Sequence, residues 1–381
     1  VRRWSLQELL PGDARSGVVL IACAALAMGI ANSALGPLYF RMLGATFAFG
    51  PIAMPVLHWI NDLLMAVFFL VVGMEIKREI KEGELADRRR AALPIAGALG
   101  GMIVPALIYA AFNHDGPAAH GWGIPMATDI AFSLGVLALL GPRVPRGLTV
   151  FLAALAIADD LGAVLVIALF YTTQLNLIAL GAAFALAGAL ALLARSGERR
   201  LWPFLIAAPT LWWCMHASGV HSTIAGVLLG WTIPLRADRG GAPLTTLEHS
   251  LKPWVTWGVM PLFALANAGV VLSGGISLTH PVALGVGLGL LIGKPIGILG
   301  LSWVLVRLGW AKLPRGATWP QLAAVGMIAG IGFTVALFVS SLSFPVGGEL
   351  EPVAKVGILT GSIVAALLGT VFLARALRPA P

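Results

Sequence analysis

Two adjacent carboxylates, Asp159 and Asp160, interrupt the apolar run from Gly147 to Tyr171, and Asp129 and Lys294 lie comparably deep in other apolar runs. A hydrocarbon core of about 30 Å takes roughly 20 apolar residues of helix, so the pair falls near the midplane of a span. Charges at that depth cost at least about 2.5–3.5 kcal/mol each. The four left unpaired would cost about 10–14 kcal/mol, comparable to the net stability of a domain. They must therefore meet partners, water or ions. Carboxylates so placed can bind a hard cation through oxygen, and can take up and release protons. Lys294 can neutralise one of them. Neighbouring helical positions diverge by about 100°, so one lysine does not serve both acids equally, and the other acid stays available for a ligand. A buried lysine can also exchange protons, and Pro295 beside it weakens helix geometry and frees a carbonyl nearby. Structural ion pair and transport site both remain open readings of the pair.

The elements that position these groups are membrane spans. The chain has 381 residues, 59% hydrophobic and 11% charged, with a mean hydropathy of +0.92. That composition is far from a soluble globular domain. About twelve spans are predicted, of roughly 20 residues each, beginning near Gly17, Leu57, Ala91, Gly121, Gly147, Leu175, Leu201, Gly219, Leu247, Pro281, Gln321 and Pro352. Residues 1–381 then read as a single integral membrane domain, all-α and polytopic. The net charge of +8 is explained by placement rather than by nucleic acid. Cations recur at every other loop: Arg2, Arg3 and Arg15; Lys77, Arg78, Lys81 and Arg88 to Arg90; Arg143 and Arg146; Arg195, Arg199 and Arg200; Arg236, Arg239 and Lys252; Arg307, Lys312 and Arg315; Arg375 and Arg378. The intervening loops hold Arg41 and Lys355. By the positive-inside rule both termini are cytoplasmic. The leader Val1 to Arg15 reads as polar, without a cleavable signal. Cys23 and Cys214 lie in apolar spans with no metal-ligand or disulfide spacing, and no cofactor is expected. Ala45 to Pro55 alternates weakly around Gly50 and Pro51, as a hairpin outside the membrane would.

Two spans carry breaking residues. Asp129 lies in GWGIPMATDIAFSLG, where Pro125, Thr128 and flanking glycines argue against an unbroken helix, and Thr128 or Asp129 can cap a second half-helix. The eleventh span is interrupted by Gly326, Gly330 and Gly332 ahead of Thr334. Interrupted spans in both halves point to a midplane site built from broken helices. Asp62, beside Asn61 at the start of its span, reads as an interfacial cap or an intramembrane acid. Glu75 and Glu79, beside Lys77 and Arg78, read as a solvated helix end or a functional cluster.

The motifs WINDLLMAVFFLVVGMEIKRE from Trp59, ATDIAFSLGVLALLG from Ala127, LAIADDLGAVLVIALFYT from Leu155, SGVHSTIAGV from Ser218, MPLFALANAG from Met260, LIGKPIGI from Leu291 and GIGFTVALFV from Gly330 run through nearly the whole chain. On these motifs it resembles the bacterial NhaA sodium/proton antiporters. The resemblance implies twelve transmembrane helices with an inverted repeat, the third to fifth spans mirroring the tenth to twelfth, and crossed discontinuous fourth and eleventh helices. It makes Asp160 the principal cation ligand and proton carrier. Asp159 becomes a second carboxylate exchanging between Lys294 and the ion, Thr128 a nearby oxygen ligand, Asp129 the group balancing helix dipoles, and Thr334 a supporting group. It implies electrogenic export of Na+ or Li+ in exchange for H+ across the inner membrane, switched on as cytoplasmic pH rises. The pH response would fall to Glu75, Arg78, Glu79, Glu248 and His249, with Lys252 standing where a relative has histidine, and to His221 at the start of the eighth span. A solvated loop histidine remains the alternative for His249, and a helix cap for His221. Membrane lipid is an expected partner, and homodimerisation through the Ala45 to Pro55 hairpin is implied.

Two other functions fit broken spans and buried acids less well. A sodium-coupled symporter of an organic anion would need a further polar pocket that the sequence does not display. An intramembrane aspartyl protease would place its acids on separate helices in YD and GxGD contexts, and neither context surrounds an intramembrane Asp here.

Overall fold

The computed structural model describes residues 12–50, 52–172, 174–235, 241–272, 278–345 and 347–377. Arg2, Arg3, Arg236, Arg239 and Arg378 of the charge pattern, most of the leader, and Pro51 of the hairpin lie outside the described residues. Helices α1 (Gly12–Ala31) and α2 (Gly36–Gly44) precede strands β1 (Thr46–Phe49) and β2 (Ile52–Pro55). Next come α3 (Val56–Glu82) and α4 (Arg88–Phe112). A 3₁₀ segment, Pro117–Met126, leads into α5 (Ile130–Leu139), followed by α6 (Arg146–Phe170), α7 (Leu177–Arg195), α8 (Trp202–Ala217) and α9 (Ile224–Thr232). Helix α10 (Pro243–Trp254) continues through a π turn into α11 (Met260–Asn267). After α12 (Pro281–Arg307) come α13 (Trp319–Ile328), α14 (Phe333–Ser343) and α15 (Leu350–Ala376).

Among the described residues six helices are long and apolar enough to cross a membrane, and up to nine spans result if each bent pair is one span. The chain is therefore a polytopic helical membrane protein. The expectation of about twelve spans also drew on α8 and α9, which are 16 and 9 residues long, and on the polar α10. Helices α8 and α9 fall short of a full span by the length rule, whereas α10 continued by α11 is long enough but opens on a polar stretch.

The chain divides into two compact units, one of Val1–Ser33, Glu84–Ala163 and Ala268–Pro381, the other of Ala34–Gly83 and Val164–Asn267. In the first unit, α12 approaches α4 along a ladder of glycines at i, i+4 and i+8. A Cβ at Gly289 would stand 3.3 Å from the Pro105 carbonyl oxygen and 2.7 Å from the Pro125 side chain of the 3₁₀ segment, one at Gly293 2.8 Å from Pro105 Cα, and one at Gly297 2.0 Å from the Gly100 carbonyl oxygen. Such small-residue faces let backbones touch where lipid offers no hydrophobic drive between helices. The helix is π-wound over Gly289–Gly293 and resumes α geometry at Lys294. The disturbance expected from Pro295 thus lies in the turn before it, a type of defect frequent at functional sites.

In the second unit, β1 and β2 pair antiparallel with Thr46 opposite Pro55 and Phe49 opposite Ile52, and Gly50 takes φ +60° in the turn. The expected hairpin is present. Helix α9 seats on α3 at Gly226, where a Cβ would stand 2.1 Å from the Ala66 carbonyl oxygen. Asn61 and Asn267 exchange amide hydrogen bonds at 3.1 and 2.8 Å, satisfying two polar groups buried in this unit.

Two details differ from the sequence reading. Lys355, counted with the loops, lies inside α15, buried and paired at 2.8 Å with Glu351 one turn earlier. Gly326 lies within α13, its Cβ position 3.2 Å from Pro295 Cα, so it serves packing and not the interruption.

Candidate functional site

The first unit brings Thr128, Asp129, Asp159, Asp160, Lys294 and Thr334 together from two interrupted spans and two continuous helices. The 3₁₀ segment ends at Met126 and α5 begins at Ile130; α13 ends at Ile328 and α14 begins at Phe333. The chain between these half-helices leaves backbone groups unsatisfied, and each interruption supplies the other. Asp129 N–H donates to the Ile331 carbonyl at 2.7 Å. The Thr128 hydroxyl donates to the Ala329 carbonyl at 2.9 Å, and the Ser133 hydroxyl to the Ile328 carbonyl at 3.1 Å. Glycine is required at this crossing of chain segments: a Cβ at Gly330 would stand 2.3 Å from the Leu290 carbonyl oxygen in the π turn of α12.

Asp129 sits at two helix N-termini at once. Its Oδ1 accepts from Phe132 N–H at 3.0 Å, capping α5, and its Oδ2 accepts from Thr334 N–H at 3.2 Å at the start of α14 and from the Thr334 hydroxyl. A carboxylate there meets the positive ends of both half-helix dipoles. Of the two residues that could cap, Asp129 does so. Ser362 on α15 adds a further partner, accepting from Phe333 N–H at 3.2 Å. The sequence reading passed over Ser362, because a lone serine in an apolar span carries no signal.

Lys294 is fully buried. Its Nζ donates to Asp159 Oδ2 at 2.7 Å and to the Thr128 hydroxyl at 2.7 Å. Thr128 therefore links the lysine on α12 to the carbonyl end of α13, with one oxygen lone pair unused. Asp159 Oδ1 is buried and meets no donor at hydrogen-bond geometry. Asp160 is also buried, and close enough to Lys294 to interact with its charge. Asp159 thus accepts from the ammonium at hydrogen-bond distance, and Asp160, a 100° step round the helix, interacts with its charge. Carboxylate, hydroxyl and carbonyl oxygens are the donor set that a hard monovalent cation takes, and carboxylates are where protons compete for it.

The remaining candidates lie in the second unit. Glu75 and Lys252 pair at 2.7 Å, and Arg78 with Glu248 at 3.1 Å. The Glu79 carboxylate lies over Gly83, and His249 is exposed beside Glu248. His221 does not join them. Its Nδ1 lies 2.9 Å from the Thr223 hydroxyl and its Nε2 3.7 Å from Asp62, 13 residues and roughly 20 Å along α3 from Glu75. Asp62 also faces His216 at 3.7 Å, and the His216 ring stacks on Trp212. This Asp–His–His grouping escaped the sequence reading because His216 sits in an otherwise apolar helix.

A family model described as Na+/H+ antiporter 1 matches residues 7–373. The chain belongs to this antiporter family. Its curated relatives include a protein of Pseudomonas fluorescens strain Pf0-1 named Na(+)/H(+) antiporter NhaA, 51% identical over 375 residues, covering 96% of this chain and 95% of the relative. A protein of the same name from Vibrio campbellii is 50% identical over 374 residues, covering 97% and 94%, and one from Rhodospirillum rubrum is 50% identical over 373 residues, covering 94% of each. The NhaA resemblance read from the motifs is thus confirmed across nearly the full length.

Proposed function

We propose that this chain exchanges sodium for protons, with Asp160 as the principal ligand and proton carrier and Asp159 released from Lys294 when the ion arrives. The observation that supports this reading is the division of labour between two adjacent buried acids. One is bound to a buried lysine and keeps an oxygen without a donor; the other is buried beside it, within reach of the same ammonium charge. Thr128 contributes its remaining lone pair, and Asp129 with Thr334 holds the half-helix ends in place. A cation displacing more than one proton moves net charge, which makes the exchange electrogenic. Lithium, a harder relative of sodium, uses the same oxygens.

The wider reading places both units in one transporter domain of twelve spans with an inverted repeat and crossed broken helices. Its setting is the bacterial inner membrane with both termini cytoplasmic, which the loop cations favour. The ion pairs of Glu75, Arg78, Glu248 and Lys252, with Glu79 and His249, supply the pH response, and His221 contributes from a separate place. The hairpin at Ala45 to Pro55 joins two copies into a homodimer. The deciding experiment is proton flux in proteoliposomes against sodium, lithium and potassium across a pH series. Asp160→Asn abolishes sodium-dependent proton movement on this account, and flux persisting in that variant refutes it.

A further inference from the structure

Away from the buried acids, the N-terminal turns of α4 and α6 and the loop after α12 enclose a cavity of about 1120 Å³. Five cations from three chain segments line it: Arg89, Arg90, Arg146, Lys312 and Arg315, against one lining acid, Glu84. That acid lies 4.0 Å from Arg90, which also meets Asp87 at 3.9 Å. Among the described residues no ion pair engages Arg89, Arg146, Lys312 or Arg315, whereas the cations Arg78 and Lys252 of the other unit are each paired. The convergence is built into the backbone. A Cβ at Gly147 would stand 2.6 Å from the Arg315 carbonyl oxygen and 3.0 Å from its nitrogen, so the loop rests directly on the first turn of α6. Two 25-residue helices begin at this cavity, adding the positive ends of their dipoles. The remaining wall is apolar, with Leu93 and Phe151 buried behind and Val150 and Trp310 exposed at 43% and 69%.

We propose that this cavity binds the headgroup phosphodiester of an anionic phospholipid, with the acyl chain running along Val150 and Trp310. Unpaired guanidinium groups and helix N-termini suit a phosphate, and a basic pocket between helix ends beside lipid-facing surface is where such headgroups lodge. A free phosphate would make no use of the apolar wall. The lipid would hold together the ends of α6, which carries Asp159 and Asp160, and of α4, against which Lys294 is packed. Assigning it to the cytoplasmic leaflet rests on the orientation proposed above; binding measured in micelles does not, so the two can fail separately.

The test is native mass spectrometry of the delipidated full chain in detergent, titrated with phosphatidylglycerol, phosphatidylcholine or inorganic phosphate. Phosphatidylglycerol is expected to be retained, phosphatidylcholine not, and millimolar phosphate should leave the lipid bound. Arg146→Gln/Arg315→Gln should weaken phosphatidylglycerol binding roughly thirtyfold, from about 1 kcal/mol per cation at an anionic surface. Arg143→Gln/Arg375→Gln, which removes two exposed cations outside the cavity, should not. Arg89→Gln/Lys312→Gln repeats the reading should the first pair fail to fold. Equal weakening in the control, unchanged binding in both cavity variants, equal retention of phosphatidylcholine, or displacement by phosphate overturns the proposal.

Discussion

Lys294→Met removes the ammonium while keeping the length of the stem, and leaves Asp159 with neither oxygen served by a cation. In the wild type Oδ2 receives Nζ at 2.7 Å and Oδ1 already lacks a donor. Removing one partner of a buried pair costs about 3–5 kcal/mol. The carboxyl has one escape, which is to take up a proton and become neutral. For a group with an ordinary pKa of about 3.9 that costs about 4 kcal/mol at pH 7 and about 1.5 kcal/mol at pH 5. The destabilisation relative to wild type is therefore capped by this route. It should be about 3–4 kcal/mol at pH 7 and shrink to about 1.5 kcal/mol as the pH falls to 5. Lys294→Met/Asp159→Asn, which has no charge left to neutralise, should be more stable than the single variant at pH 7 and show a penalty independent of pH. Thermal unfolding in detergent micelles at the two pH values reads both quantities. A single variant whose penalty is the same at pH 5 and pH 7, or a double variant less stable than the single at pH 7, would refute the ion-pair reasoning.

Gly297→Ala would drive a methyl group into the Gly100 carbonyl oxygen, 2.0 Å away. With backbone on both sides, it should cost about 3 kcal/mol, the upper end for overpacking; melting close to wild type would show that α4 and α12 can separate freely. Thr334→Val removes the hydroxyl bond to Asp129 but keeps the backbone one, so a loss of about 1.5–3 kcal/mol is expected by the same melting assay. Lys355→Met strands the buried Glu351, which still accepts from Gly347 N–H at 2.9 Å. It should lower stability by about 3 kcal/mol without altering sodium-dependent proton flux, and a lost flux in a stable variant would move this pair into the transport machinery.

Much of this protein is legible in its sequence. The cost of a midplane charge singles out Asp129, Asp159, Asp160 and Lys294 from sequence alone, since burial of the surrounding apolar runs leaves those side chains no water. Pro125, Gly330 and Gly332 mark the interruptions because proline and glycine act on the chain locally. The hairpin around Gly50 was legible for the same reason. Gly289, Gly293 and Gly297 stand at helical spacing, yet the sequence assigns them no role, because what they face depends on Pro125, Pro105 and Gly100, more than 150 residues away.

Tertiary structure decided the partnerships. Sequence left Lys294 to choose between two acids and left both Thr128 and Asp129 able to cap α5. The fold resolves each by direction: Asp159 accepts the lysine's hydrogen bond, and Asp129 turns toward two helix N-termini while Thr128 bridges Lys294 and the Ala329 carbonyl. It also placed Lys355 inside a helix against Glu351, joined His216 and His221 to Asp62, and gathered Arg89, Arg146 and Arg315 around one cavity. The reason is common to all of them. Residue type and local periodicity determine which groups are too costly to leave alone in a membrane, whereas which group answers them is set by contacts between segments far apart in the chain.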